Sequence, residues 1–200
     1  MTATPSTAQQ ILAAARAVLL DIGFAALSTR KVAERAGVPL SQIHYHFKSK
    51  EQLILAILSR ENDSLIARQS DMFGLDTPLS ERWERACDYL DEDLESGYVR
   101  VLQEMMAAGW SSDEVRDAVN LVLDAWTAVL TDVAEKACNE GADFGPFTTA
   151  EIVGLVEAAF LGAESMILLG REGRGRPVRK ALRRIGDAIA QVEASRWGNT

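Results

Sequence analysis

A chain of 200 residues, 48% apolar and 25% charged, suits one or two folded domains with a substantial core and excludes a disordered or fibrous polypeptide. Its net charge of −8 excludes a uniformly basic nucleic-acid coat, but the charge is uneven: residues 1–60 carry seven Lys/Arg against three Asp/Glu, and residues 61–200 carry fourteen against twenty-six. A basic head on an acidic body steers the head towards a polyanion, while the acidity of the body alone reads as simple solubility.

Residues 1–15 lack a basic stretch followed by an apolar core, so they do not read as a signal peptide. Ser6-x-x-Gln9 has the form of a capping box, and Ile11, Ala14, Ala15, Val18, Leu19 and Ile22 recur at helical spacing up to a stop at Gly23. A short helix is predicted over 29–36, capped by Ser28, and a third over 40–47. Ser49-x-x-Gln52 opens a fourth, with Leu53, Ile54, Ile57, Leu58 and Leu65 along one side. After a loop at 73–78, helices are predicted over 79–95 and 98–108, and Ser111-x-x-Glu114 caps a long one reaching 139. Cys87 and Cys138 fall in helical segments outside any CxxC and read as buried or inert thiols of a reducing cytoplasm. A Gly- and Pro-containing loop covers 140–147, and Thr148-x-x-Glu151 caps a helix ending at Gly170. Residues 152–170 are the most apolar stretch, but Glu157 and Glu164 within it point to a buried helix and not a membrane span. A mobile basic turn at 170–177 leads to a last helix over 178–196. No alternating strand pattern and no internal repeat is present, so the expected class is all-α.

The informative segment is 28–50, STRKVAERAGVPLSQIHYHFKSK. Two helices crossing through a tight turn need a small residue where they touch, here Ala33, and a glycine in the turn, here Gly37. Val32, Ala36, Val38 and Ile43 supply apolar anchors. The Ala–Gly–Ile spacing is a helix-turn-helix signature, although a helical hairpin can imitate it. The strings TRKVAERAGV and HYHFKSKEQL, after a first helix ending in Gly23-Phe24, resemble the TetR family of bacterial one-component repressors. The resemblance covers about the first sixty residues. The chain departs from the family wording at Pro39, Ser41 and His44; Pro39 still opens a helix because its missing N–H is unneeded there, and the other two alter which bases are read.

The resemblance implies an N-terminal three-helix helix-turn-helix DNA-binding domain, residues 1–50, and a C-terminal helical ligand-binding and dimerisation bundle, residues 51–200. The third helix then enters the major groove. Leu40, Ser41, Gln42 and His44 lie on or near its exposed side, with Gln42 suited to adenine and Leu40 to a thymine methyl. Thr29, Arg30, Tyr45, His46, Lys48 and Lys50 suit phosphates, which position without specifying sequence, and the Ser49-capped fourth helix adds its N-terminal N–H groups. His44 and Tyr45 reach bases or backbone; Ile43 and Phe47 read as core, and Tyr45 fits either role. His44-x-His46 points its rings to different sides of a helix and no other histidine is present, so no metal site is expected.

Helix-turn-helix dimers read near-palindromic operators, so the body is expected to form a homodimer. Gly154, Ala158, Gly162 and Ser165 form a small-residue stripe, and Val178, Leu182, Ile185, Ile189 and Val192 an apolar one; the resemblance implies a four-helix interface from these helices and their symmetry mates, with packing inside one chain as the alternative. A small-molecule inducer is expected between the middle helices, with Trp83, Leu94, Tyr98, Leu102, Met105, Met106, Trp110, Trp126, Leu130 and Phe160 as lining residues or, each taken alone, plain core. Glu157 or Glu164 facing that cavity would favour a cationic or hydrogen-bonding ligand. The expected function is a cytoplasmic, dimeric repressor released from double-stranded operator DNA by its inducer through movement of the fourth helix, with activation left open. No cofactor, metal or membrane partner is expected. No nucleophile–base–oxyanion set or phosphate loop appears, so the chain does not read as an enzyme; the alternative is an all-α enzyme or small-molecule-binding protein with a non-functional head.

Overall fold

A computed structural model describes residues 5–73, 77–173 and 175–197. Among them are nine α-helices and no strand: α1 (Thr7–Ala26), α2 (Thr29–Ala36), α3 (Leu40–Phe47), α4 (Lys50–Phe73), α5 (Leu79–Ser96), α6 (Tyr98–Gly109), α7 (Asp113–Asn139), α8 (Thr149–Leu168) and α9 (Val178–Trp197). The all-α expectation holds. The chain forms two compact units, one of Met1–Ser64 with Gly97–Val122 and one of Leu65–Ser96 with Leu123–Thr200. In this division α4 and α7 each give one portion to each unit.

In the first unit, α1 starts on the expected capping box, with Ser6 Oγ accepting from the Gln9 N–H and the Gln9 side chain accepting from the Ser6 N–H. Gly23 is not its end. The chain kinks there at φ 75° and ψ 167°, and helical hydrogen bonding resumes to Ala26. The cause lies 80 residues away on α6. The Phe24 N–H donates to the Glu104 carboxylate, and Glu104 Oε1 comes within 3.1 Å of where a Cβ on Gly23 would stand. Arg100 Nη1 donates to the Leu20 carbonyl at 2.7 Å, so α6 holds the end of α1 by two side chains that also pair with each other. Ile11, Leu19, Val32, Ile43, Leu53, Ile54, Leu58, Val99, Val101, Met105 and Val115 form the buried core; complete burial of each large aliphatic group contributes about 2 kcal/mol. By length and composition α1, and not the 152–170 segment, is the described helix apolar enough to cross a membrane; here its buried side chains belong to this core. At the start of α7, Ser112 and not Ser111 supplies the cap, its Oγ accepting from the Val115 N–H at 3.4 Å.

In the second unit, α5 and α9 pack along their lengths. Gly186 lets the helices approach until a Cβ would stand 3.1 Å from the Trp83 ring, and Trp83 Nε1 donates to the Leu182 carbonyl at 2.7 Å. Arg183 gathers Glu84, Asp88 and Asp91, and Arg179 pairs with Asp91 and Glu172. Leu182, placed by sequence in an intersubunit stripe, is therefore buried at this intramolecular seam. The Phe160 ring of α8 stands edge-on to both Trp83 and Trp126 at 5.6 Å, and α8 opens on the expected Thr148–Glu151 capping box. Burial pushes the Cys87 thiol up to about 11, as expected of an inert group. Cys138 departs from that expectation: it sits near the end of α7 and is exposed.

Candidate nucleic-acid interface

The local sequence fixes the turn between α2 and α3. Ser28, in an extended conformation, accepts the Lys31 N–H on its Oγ and starts α2. Gly37 ends it in the left-handed region (φ 66°, ψ 30°), with its own N–H on the Glu34 carbonyl and the Val38 N–H on the Ala33 carbonyl. No heavy atom lies within 4 Å of a Cβ built on Gly37, so the glycine serves the dihedral and not the space. Pro39 carries the chain into α3, where the Gln42 N–H donates to its carbonyl at 2.9 Å. Ile43 is buried and Leu40 and Phe47 are half-buried, three positions on one side of the helix. Ser41, His44, Tyr45 and His46 are exposed and Gln42 is half-buried. Tyr45 is 80% exposed, which removes it from the core.

Between α3 and α4 lies an unusual residue. Lys48 is the only non-glycine with positive φ among the described residues, at φ 57° and ψ −52°. The Ser49 N–H reaches back to the Phe47 carbonyl, closing a three-residue γ-turn centred on Lys48, a conformation that strains an L-residue. His44 Nδ1 lies 3.4 Å from the Lys48 carbonyl. The turn leaves the Lys48 ammonium exposed at the end of α3, beside the first turn of α4, where Ser49 Oγ caps the Gln52 N–H at 3.1 Å.

The cations of this unit divide into engaged and open groups. Arg16 pairs with Glu61 and Arg35 with Asp21, and Lys31 Nζ donates to the Ala26 carbonyl. Lys50, expected at phosphate, has its Nζ donating to the Phe24 carbonyl at 2.9 Å and lying 3.9 Å from the centre of the Phe24 ring. The reason is local, because the turn after the Gly23 kink offers an aromatic face together with the Phe24 carbonyl, which also accepts the Leu27 N–H. Arg30 and Lys48 are exposed and make no ion pair among the described residues. Thr29 is half-buried at the start of α2. The assembly thus presents neutral hydrogen-bonding side chains along α3 with open cations at its margins.

The ten residues expected to line a ligand cavity do not fall in one unit. Tyr98, Leu102 and Met105 are buried and Met106 half-buried in the first; Trp110 there is 86% exposed, because it caps the end of α6 as the chain turns outward into α7. Trp83, Leu94, Trp126 and Leu130 are half-buried and Phe160 is buried in the second. Trp126 Nε1 donates to the Gln69 side chain, and Glu157 accepts from the Thr127 hydroxyl. Sequence reasoning missed Gln69, Arg82, Arg100 and Glu104; a polar residue at a core-facing helical position was the available signal for the first two.

The sequence profile of the family described as bacterial regulatory proteins, tetR family, matches residues 11–57, from α1 into α4. The chain is 28% identical over 131 residues to the HTH-type transcriptional activator FasR of Mycolicibacterium smegmatis; the match takes in 64% of this chain and 58% of that protein's length. Its fold is similar to that of the transcriptional regulator FadR from Bacillus subtilis in complex with stearoyl-CoA, with a TM-score of 0.73 and 14% identity over 92% of this chain and 95% of the other. A transcriptional regulator from Saccharomonospora viridis in complex with choline is similar at a TM-score of 0.74 and 22% identity, over 92% of this chain and 95% of the other.

Proposed function

We propose, from the premise that the chain belongs to the tetR family of bacterial regulatory proteins, that it is a dimeric transcriptional repressor which binds operator DNA through α2 and α3 and is released by a small-molecule ligand. The observation that carries the reading is the exposed side of α3, set off by the left-handed turn at Gly37 and flanked by the open cations Arg30 and Lys48. Ser41, Gln42 and His44 read base edges, with Leu40 at the groove wall; Thr29, Arg30, Tyr45, His46 and Lys48 position the phosphates. The ligand binds in the second unit and acts on DNA affinity through α4 and α7, the helices that belong to both units. It does so only to the extent that it prefers one of two arrangements.

The homodimer forms through the face of α8 that carries Gly154, Ala158 and Gly162, all exposed in the single chain, with Leu155 and, on α9, Ile185 also exposed. The protein works in the cytoplasm, without a cofactor and without catalysis. Footprinting on the DNA upstream of its own gene tests the reading. A protected near-palindrome whose affinity falls linearly in log–log with salt supports it, and absence of duplex binding at low salt ends it.

A further inference from the structure

We propose that Arg100 and Glu104 of α6 are positioning residues for operator binding: they hold α1 kinked at Gly23, and the kink sets where α3 stands. This rests on the operator-binding reading above and adds the residues that fix the geometry of its head.

The kink is a helical hydrogen bond opened and refilled from outside. In an unbroken helix the Phe24 N–H would donate to the Leu20 carbonyl, four residues back. At Gly23 the chain leaves the helix, with φ 75° and ψ 167°. Both groups then go to one ion pair of α6. Glu104 accepts the Phe24 N–H, and Arg100 Nη1 donates to the Leu20 carbonyl at 2.7 Å. Arg100 Nε and Glu104 Oε1 are 3.4 Å apart, one turn along their own helix. Side chains inserted into the helical ladder bend a helix sharply. Two glycines make the approach possible. Gly97, just before α6, lies where a Cβ would stand 2.8 Å from Leu20 Cδ2. Gly23 takes the positive φ and leaves room for the Glu104 carboxylate, to which the three atoms nearest its missing Cβ belong.

The residues after the kink anchor the head. The Phe24 carbonyl accepts from Lys50 Nζ in the first turn of α4, and the Ala26 carbonyl accepts from Lys31 Nζ of α2, each at 2.9 Å. Along the chain α2 and α4 flank α3, joined to it by the left-handed turn at Gly37 and the γ-turn at Lys48. Residues 24–26 therefore tie both neighbours of α3 to the end of α1, and Glu104 fixes those residues. Without the ion pair nothing holds the opened hydrogen bond apart. Gly23 is free to take helical dihedrals, the Phe24 N–H returns to the Leu20 carbonyl, and residues 24–26 swing with the lysines that they hold.

The test uses the full chain, the duplex that it protects in footprinting and an unrelated duplex of the same length, with melting temperatures taken on the same samples. Glu104→Ala should bind the protected duplex at least tenfold more weakly. Its affinity for the unrelated duplex and its log–log salt slope should be unchanged, because no phosphate contact is lost. Glu104→Gln keeps an acceptor for the Phe24 N–H and should recover most of the affinity. Gly23→Ala added to Glu104→Ala separates positioning from stability. With the carboxylate gone, alanine has room and favours the straight helix. This double variant should melt above Glu104→Ala and bind the protected duplex no better.

A Glu104→Ala protein that holds the protected duplex like the parent overturns the proposal, as does a loss shared equally by the unrelated duplex. So does a Glu104→Gln protein no better than Glu104→Ala, or a Gly23→Ala addition that restores the affinity or lowers the melting temperature. The regulator reading survives each of these results, since the parent still holds its operator. A parent protein that binds no duplex at low salt removes both.

Discussion

On the proposed function, two residues at α3 and its end separate what specifies a sequence from what only holds the backbone. Gln42, half-buried on α3, can present both an acceptor and a donor to adenine. Gln42→Ala is expected to cost about 1–3 kcal/mol against the preferred operator, with the loss confined to one base position in each half-site. Binding to substituted operators checks this, and a uniform loss across all of them would remove Gln42 from base recognition. Lys48 behaves in the opposite way. It carries an exposed ammonium on a strained γ-turn, so one substitution changes two quantities in opposite directions. Lys48→Gly relieves a strain of about 1 kcal/mol or more and should raise the melting temperature. It also removes the phosphate contact proposed for Lys48, so affinity should fall for every duplex and the log–log salt slope should shrink by about 0.9. A protein that is neither stabilised nor weakened on DNA would show that the turn is unstrained and faces away from the duplex.

At the scale of elements, termini set by neighbouring residues were legible in the sequence, and termini set by distant ones were not. Ser28 and Gly37 bound α2 at the expected residues because cap and left-handed turn are local chemistry. Thr148 and Glu151 start α8 for the same reason. The kink at Gly23 was read as a helix end because the group that keeps the chain turning, Glu104, lies 80 residues on. Ser111 and Ser112 are equally suited to cap by residue type, and in the structure it is Ser112 that accepts the N–H of the buried Val115. The charge of Lys50 is visible in a sequence, whereas the carbonyl and ring of Phe24 beside it are not.

The α8 cap also makes a pH-dependent prediction. The Thr148 N–H, and then its hydroxyl, hold the Glu151 carboxyl below its ordinary value. A depressed pKa in the folded state means that the contribution is present above the ordinary carboxylate value and fades as pH falls through the folded one. Glu151→Gln should therefore narrow the loss of stability on acidification, as read from denaturant midpoints at pH 7 and at progressively lower pH. Thr148→Ala should lower stability by about 1 kcal/mol at neutral pH. An unchanged acid limb in Glu151→Gln would show that the box does not contribute.

At the scale of the whole molecule, the near-palindromic operator of the proposed function would need two copies of α3, and the α8 face offers a way to ask for the second copy without disturbing the first. Gly154 and Gly162 are exposed, and a Cβ added to either meets nothing within 4 Å in the single chain. A side chain there costs the folded protomer nothing by contact, and replacing a helical glycine gains up to about 1 kcal/mol in helix propensity. Gly162→Glu should therefore melt at the parent temperature or higher as an isolated protomer. Across a close symmetric helix contact, however, the same substitution places two carboxylates against each other and forces the helices apart. Sedimentation velocity should then show a monomer, and binding to the full operator should fall to the level of a half-site. A Gly162→Glu protein that remains dimeric and holds the full operator places the dimer contact on another face, and leaves the exposed small residues of α8 without a role in assembly.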